Sequence, residues 1–129
     1  VTPVFQTGQN CLQASIATVL DLDLDDVPNF VKKGRKDNWN WLGALRKWAK
    51  KRGLGVMQFY VEEGLPSIFG ALVIAIGKTP RGGQMEHAVV CKANLRGKNV
   101  NFEYVHDPSG TEAFLANIDY CLAFTAGAA

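Results

Sequence analysis

The sequence predicts one α+β domain, with a helical part over about residues 1–53 and a sheet part over about residues 54–129. Three observations carry this reading. Apolar residues recur at helical spacing before Gly53. After it come short runs rich in Val, Ile, Phe and Tyr, separated by Gly, Pro and Asn. The two patterns do not alternate, which argues against βαβ units and for helices packed on an antiparallel sheet of about five strands. A chain of 129 residues fits one domain of typical size.

The first helix is expected over residues 11–20, where Leu12, Ile16, Val19 and Leu20 share a face and Asn10 stands at the N-cap. Leu22 to Pro28, with three aspartates and Asp21 just before it, reads as a turn followed by a short helix. A second long helix is expected over residues 40–52. Its stripe is Trp41, Leu45, Trp48 and Ala49, and Gly53 ends it. Lys50, Lys51 and Arg52 crowd its C-terminal end, where the helix dipole favours cations. Strands follow over Leu54 to Val61, Ala71 to Ile76, Glu86 to Ala93, Val100 to Val105 and Ile118 to Thr125. Asn94 to Asn99 reads as a hairpin loop that makes the third and fourth strands antiparallel neighbours.

Composition excludes several classes. With 47% hydrophobic and 20% charged residues the chain matches folded globular domains, not disordered ones. The longest apolar run, Ile68 to Ile76, is about half of what a bilayer span needs, so no membrane association is expected. No secretory leader pattern is read. A net charge of +2 is too small to argue for nucleic acid. Three cysteines without a CxxC spacing do not make a disulfide framework, and a reducing, cytoplasmic compartment is expected.

Cys11 is the first residue with chemistry to offer. It is expected in the first turn of a helix, where free amide hydrogens and the helix dipole stabilise a thiolate. The polar approach Gln6-Thr7-Gly8-Gln9-Asn10 places it at a junction rather than mid-core. His87 opens the third strand, with Ala88 and Val90 on one face and Val89 and Cys91 on the other. Asp107 closes the fourth strand. Pairing about a turn near residue 97 makes facing positions sum to about 194, so His87 and Asp107 should emerge together. A carboxylate there fixes the imidazole tautomer. Thiol, base and orienting carboxylate make a complete nucleophilic set.

These residues resemble a family. Gln6, then Asn10-Cys11-Leu12-Gln13-Ala14, then His87-Ala88-Val89-Val90, then His106-Asp107-Pro108-Ser109-Gly110 look like the papain-like cysteine peptidase superfamily. The resemblance is to small bacterial and phage domains similar to the C39 peptidases that process bacteriocins. Leu24 to Pro28 and Thr79-Pro80-Arg81-Gly82 are similar too, and the resemblance spans about Pro3 to Gly110. It implies a papain-like fold with Cys11 as nucleophile, His87 as base and Asp107 as orienter. It also implies a glutamine in the oxyanion hole. Gln6 stands five residues before the cysteine, where the family usually has six, and Gln9 is the alternative. The implied activity is that of a thiol-dependent hydrolase (peptidase, amidase or isopeptidase) or an acyltransferase. The substrate would be a peptide, a protein or another amide or acyl compound, and no cofactor is implied.

Other readings compete. Cys11, His87, Cys91 and His106 lack the tight spacing of a zinc site, so no metal is expected. Lys78 to Gly83 is not a P-loop. Arg81, Gly82 and Gly83 read instead as a flap that shapes a substrate cleft. Nine of the 14 basic residues fall between Lys32 and Arg52. A solvated face is the plainer reading of that cluster, an acidic partner a further one, and nucleic acid a weaker one. A module that has kept the fold and lost turnover is the remaining alternative.

Overall fold

The computed structural model describes residues 2–35, 38, 40–60, 68–80, 86–96, 99–111 and 114–126. Three α-helices, α1 (Cys11–Leu20), α2 (Phe30–Arg35) and α3 (Trp41–Lys51), precede five strands. The strands are β1 (Leu54–Tyr60), β2 (Ile68–Lys78), β3 (Glu86–Arg96), β4 (Asn99–His106) and β5 (Tyr120–Ala126). They form one sheet in the order β1-β5-β2-β3-β4, with every described pairing antiparallel. The expected α+β architecture is therefore present.

Strand alternation divides the core between the two faces of the sheet. On one face Ile74 and Ile76 of β2, Ala88 of β3 and Leu122 of β5 meet Leu12, Ile16 and Ala17 of α1, Phe30 of α2 and Leu45 of α3. On the other, Val73, Ala75, Val89, Cys91 and Cys121 pack under Leu115, with Phe114 and Ile118 at the margin. Ile16, Leu45, Ile74 and Leu122 are fully buried, each stabilising the fold by roughly 1.5–3 kcal/mol relative to exposure.

The expected α1 and α3 stripes are found, with Leu45 and Ala49 of α3 fully buried. Gly53 ends α3 at φ 74°, its N–H donating to Lys50 O at 3.1 Å. Asn40 caps α3 by accepting from Gly43 N at 3.2 Å. Asn10 stands at the N-cap of α1, but its side chain does not cap. Its Oδ1 accepts from Thr7 N at 2.8 Å, closing the 7–10 turn instead.

Sequence reasoning missed α2. Its six residues include three cations and a glycine, so no apolar period shows. Phe30 holds it to α3 through an edge contact with Trp48 at 5.6 Å. Gly34 permits the close approach, since a Cβ there would lie 2.9 Å from Trp41 Cβ. The loop expected over Asn94 to Asn99 is mostly strand, because β3 runs to Arg96 and β4 starts at Asn99. The register also differs from expectation. Facing pairs such as Cys91 and Tyr104 sum to 195, and a bulge then pairs Val90 with His106.

Past β4 the chain returns along the end of β2. Ala116 N donates to Lys78 O at 2.8 Å and Asp119 N to Ile76 O at 2.9 Å. Gly77, facing His87 across β2 and β3, leaves room for this segment, and a Cβ there would land on the Asn117 carbonyl oxygen. Gly77→Ala is expected to destabilise the domain by about 1–3 kcal/mol, read as a lower urea midpoint. An unchanged midpoint would show that the 116–119 segment can move away freely.

Candidate active site

Three element ends converge. Cys11 is the first residue of α1, His87 the second of β3, and Asp107 directly follows β4. His87 Nε2 and Asp107 Oδ1 are 2.7 Å apart. The Cys11 thiol stands beside the His87 ring, close enough for each group to shift the other's pKa, and Nδ1 is the ring nitrogen that Asp107 leaves open. Ser15 of α1 donates to Ala88 O at 3.3 Å, which pins the helix start against the strand carrying His87. The bulge between Val90 and Cys91 lets β4 turn inward at His106 and deliver Asp107 to the ring. His87 and Asp107 are 7% and 3% exposed, whereas Cys11 keeps part of its surface in solvent.

The Asp107 carboxylate is fully hydrogen-bonded. Besides the imidazole, Oδ1 accepts from Ser109 N at 3.0 Å and Ser109 Oγ at 2.7 Å. Oδ2 accepts from Phe114 N at 2.9 Å. Burial pushes the Asp107 pKa up, but these donors outweigh it and hold the acid at about 2. For His87, burial favours the neutral ring, and the neighbouring Cys11 and Asp107 side chains reverse this and raise its pKa. For Cys11, burial again opposes ionisation. The His87 ring, the Ala88 amide, the imidazolium charge and the Leu12 amide together lower the thiol below its usual range. Cys91 and Cys121 are buried without such partners, and both are pushed up to about 12.

Gln6 is held next to Asp107, because Gln6 N donates to Pro108 O at 2.9 Å. Its side-chain amide donates to Gly8 O at 2.7 Å, while its buried Oε1 has no partner. Gln9 is exposed. The N-terminal arm is fixed further by His106, whose Nε2 bonds Val4 O at 2.7 Å while its ring meets Phe5 edge-on at 4.8 Å. His106 and Cys91 are therefore engaged away from Cys11, in the arm and in the sheet core. Among the described residues, no three His, Cys, Asp or Glu side chains cluster as metal ligands. Arg81, Gly82 and Gly83, expected to shape the cleft, lie outside the described residues. No described helix is long and apolar enough to cross a membrane.

Sequence reasoning missed two features. Ser109 is bonded to Asp107, and its Asp-Pro-Ser turn was the available signal. A groove of about 310 Å³, lined by Thr7, Gln9, Asn10, Asn29, Val31 and Lys32, was not foreseen. Its wall includes Asn10, the residue before Cys11, but none of Cys11, His87 and Asp107.

A thiolate beside an imidazolium, itself oriented by a buried carboxylate, can attack an electrophilic carbon and pass a proton to the departing group. No family model, curated protein or solved structure matches this chain.

Asp107 is acidified in the folded chain, so the stability it contributes is complete above its ordinary value near 3.8 and lost as pH falls through about 2. Ser109→Ala removes one donor to the ionised form. The Asp107 pKa should rise and acid unfolding should begin at higher pH, with about 1–2 kcal/mol lost at neutral pH. Carboxyl carbon NMR titration and acid unfolding check both. An unmoved Asp107 titration would show that the hydroxyl contributes nothing.

Proposed function

We propose that this chain is a thiol-dependent hydrolase of papain-like arrangement, acting on amide or other acyl bonds through Cys11, His87 and Asp107. The observation that carries the reading is geometric: a buried imidazole, bonded to the buried Asp107 carboxylate at 2.7 Å, stands beside one of the three thiols. Burial opposes ionisation of all three thiols, and only the one beside His87 is lowered.

In the proposed reaction the Cys11 thiolate attacks the carbonyl carbon, forming a C–S bond and moving the carbonyl electrons onto oxygen. The Cys11 N–H, among the first of α1 and without an intrahelical acceptor, faces that charge. The second hydrogen of the Gln6 amide is the side-chain donor. As the intermediate collapses, the C–N bond breaks and the His87 imidazolium gives its proton to the departing amine. The resulting thioester is cleaved by water deprotonated by His87, which regenerates the thiol. An amine in place of that water would make the same site an acyltransferase. Asp107 keeps the ring in the required tautomer throughout. Three unpaired thiols suit a reducing, cytoplasmic setting.

Two measurements test this. Iodoacetamide should alkylate Cys11 selectively, and His87→Ala should slow it by about tenfold near neutral pH. Equal labelling of Cys11, Cys91 and Cys121 would remove the main support. The rate should rise as pH passes the lowered thiol pKa, and the paired form should fade as pH passes the raised imidazole pKa. Trapping from a lysate should give a mass adduct on Cys11. Selective alkylation without any adduct would favour a module that binds and does not turn over.

A further inference from the structure

We infer that the substrate of this site is an acidic polypeptide, held by the cations of α2 and α3 and by the groove that runs from Lys32 to Asn10, the residue before Cys11. The inference rests on the proposed thiol chemistry and adds to it the class of substrate.

Charge along the chain is sharply divided. Residues 27–61 carry nine basic side chains and one acidic one, which leaves five basic and eleven acidic residues elsewhere. On α3, Arg46, Lys47, Lys50 and Lys51 are all exposed, and helical spacing places the three lysines on the side opposite Leu45 and Ala49 with Arg46 at its flank. No carboxylate lies on α3, and no described ion pair engages these cations. Like charges set one turn apart repel one another, so the arrangement favours an anionic ligand over an empty surface.

The groove supplies the second observation. Among the described residues of its lining Lys32 is the one charged side chain, which sets a positive charge in its wall. Asn29 Oδ1 is occupied by Lys32 N at 3.2 Å, which leaves its amide NH₂ to donate outward beside the lysine. A carboxylate seated there would meet an ammonium and an amide donor close to the residue preceding the nucleophile. Because α2 packs directly on α3, the groove and the cations of α3 belong to one helical layer.

A single-stranded nucleic acid would fit less well. It wants exposed aromatic faces on which to stack its bases. Trp48 is half-buried against Phe30 and its ring carries the Arg52 guanidinium at 4.7 Å, while Trp41 packs on the core. Among the described residues of α2 and α3, the face offers charge without a stacking platform.

The test reads protection of Cys11. Wild-type protein is alkylated with iodoacetamide alone, with a short Glu/Gly peptide, with its Gln/Gly twin, and with short oligo-dT, at low salt and near physiological salt. The acidic peptide should slow alkylation of Cys11 by about threefold or more, less so at higher salt, and the Gln twin should not. Lys32→Glu should abolish the protection ratio, and Lys50→Glu/Lys51→Glu should weaken it. No protection by the acidic peptide, or protection that survives Lys32→Glu, overturns the inference. Oligo-dT protecting as well as the peptide overturns it in favour of nucleic acid. Cys11 labelling no faster than Cys91 and Cys121 before any peptide is added would instead defeat the thiol reading itself.

Discussion

A carboxylate taken out of water must be given back its hydrogen bonds, and the chain after β4 is shaped by that requirement at Asp107. Four donors meet its two oxygens, from His87, from the Ser109 amide and hydroxyl, and from the Phe114 amide. The last donor comes from a residue in an unfavourable conformation. Phe114 has φ 55°, which a bulky side chain adopts at a penalty of about 1–2 kcal/mol. Its amide bond to Asp107 and its ring contact with Tyr104 at 4.4 Å offset that strain. From Phe114 the chain is placed to return along β2 and enter β5 between β1 and β2. Satisfying one buried anion thus fixes the imidazole on one side and the course of the last strand on the other.

Much of this arrangement was legible in the sequence because Cys11, His87 and Asp107 sit where elements begin and end. Polar residues before an apolar helix, and a histidine and an aspartate flanking a hairpin, are signals that survive without knowledge of packing. The contact between His87 and Asp107 was inferred from a sum of 194, whereas the strands pair at 195 and then shift at the bulge. The inference held because side chains at strand ends have latitude that those inside a ladder lack. What could not be read depends on tertiary partners. The α2 helix exists because Phe30 and Gly34 fit α3, and no periodicity of its own reveals it. Asn10 has an N-cap's composition and position, but its side chain is taken by Thr7.

That diversion of Asn10 bears on chemistry. A capping side chain would occupy the first amides of α1 with its own oxygen. With Asn10 turned back into the 7–10 turn, the amide of Leu12 is left to the Cys11 sulfur. The negative end of an interaction normally supplied by a cap is supplied by the thiolate itself. In the proposed reaction this uncapped helix start leaves its first amides to the sulfur, a smaller aid to its acidity than the His87 ring.

The same logic separates the three cysteines. Cys91 and Cys121 lie in the apolar layer on the face of the sheet away from the helices, where a negative charge has no partner, and they behave as small core side chains. Cys11 is also shielded from water, and shielding alone would make it equally inert. Partial burial becomes useful only when a cation stands close by, because a less polar surround strengthens attraction between thiolate and imidazolium as it penalises either charge alone. A buried cation in turn requires a buried anion of its own, and that returns the argument to Asp107. In the ion-paired form sulfur, ring and carboxylate alternate in sign, so each charge is tolerated because the next is present. In the proposed reaction this has a direct consequence. When the sulfur is acylated its charge is lost, the ring is left with only the carboxylate, and its proton becomes easier to give to the departing amine at the step where that transfer is needed.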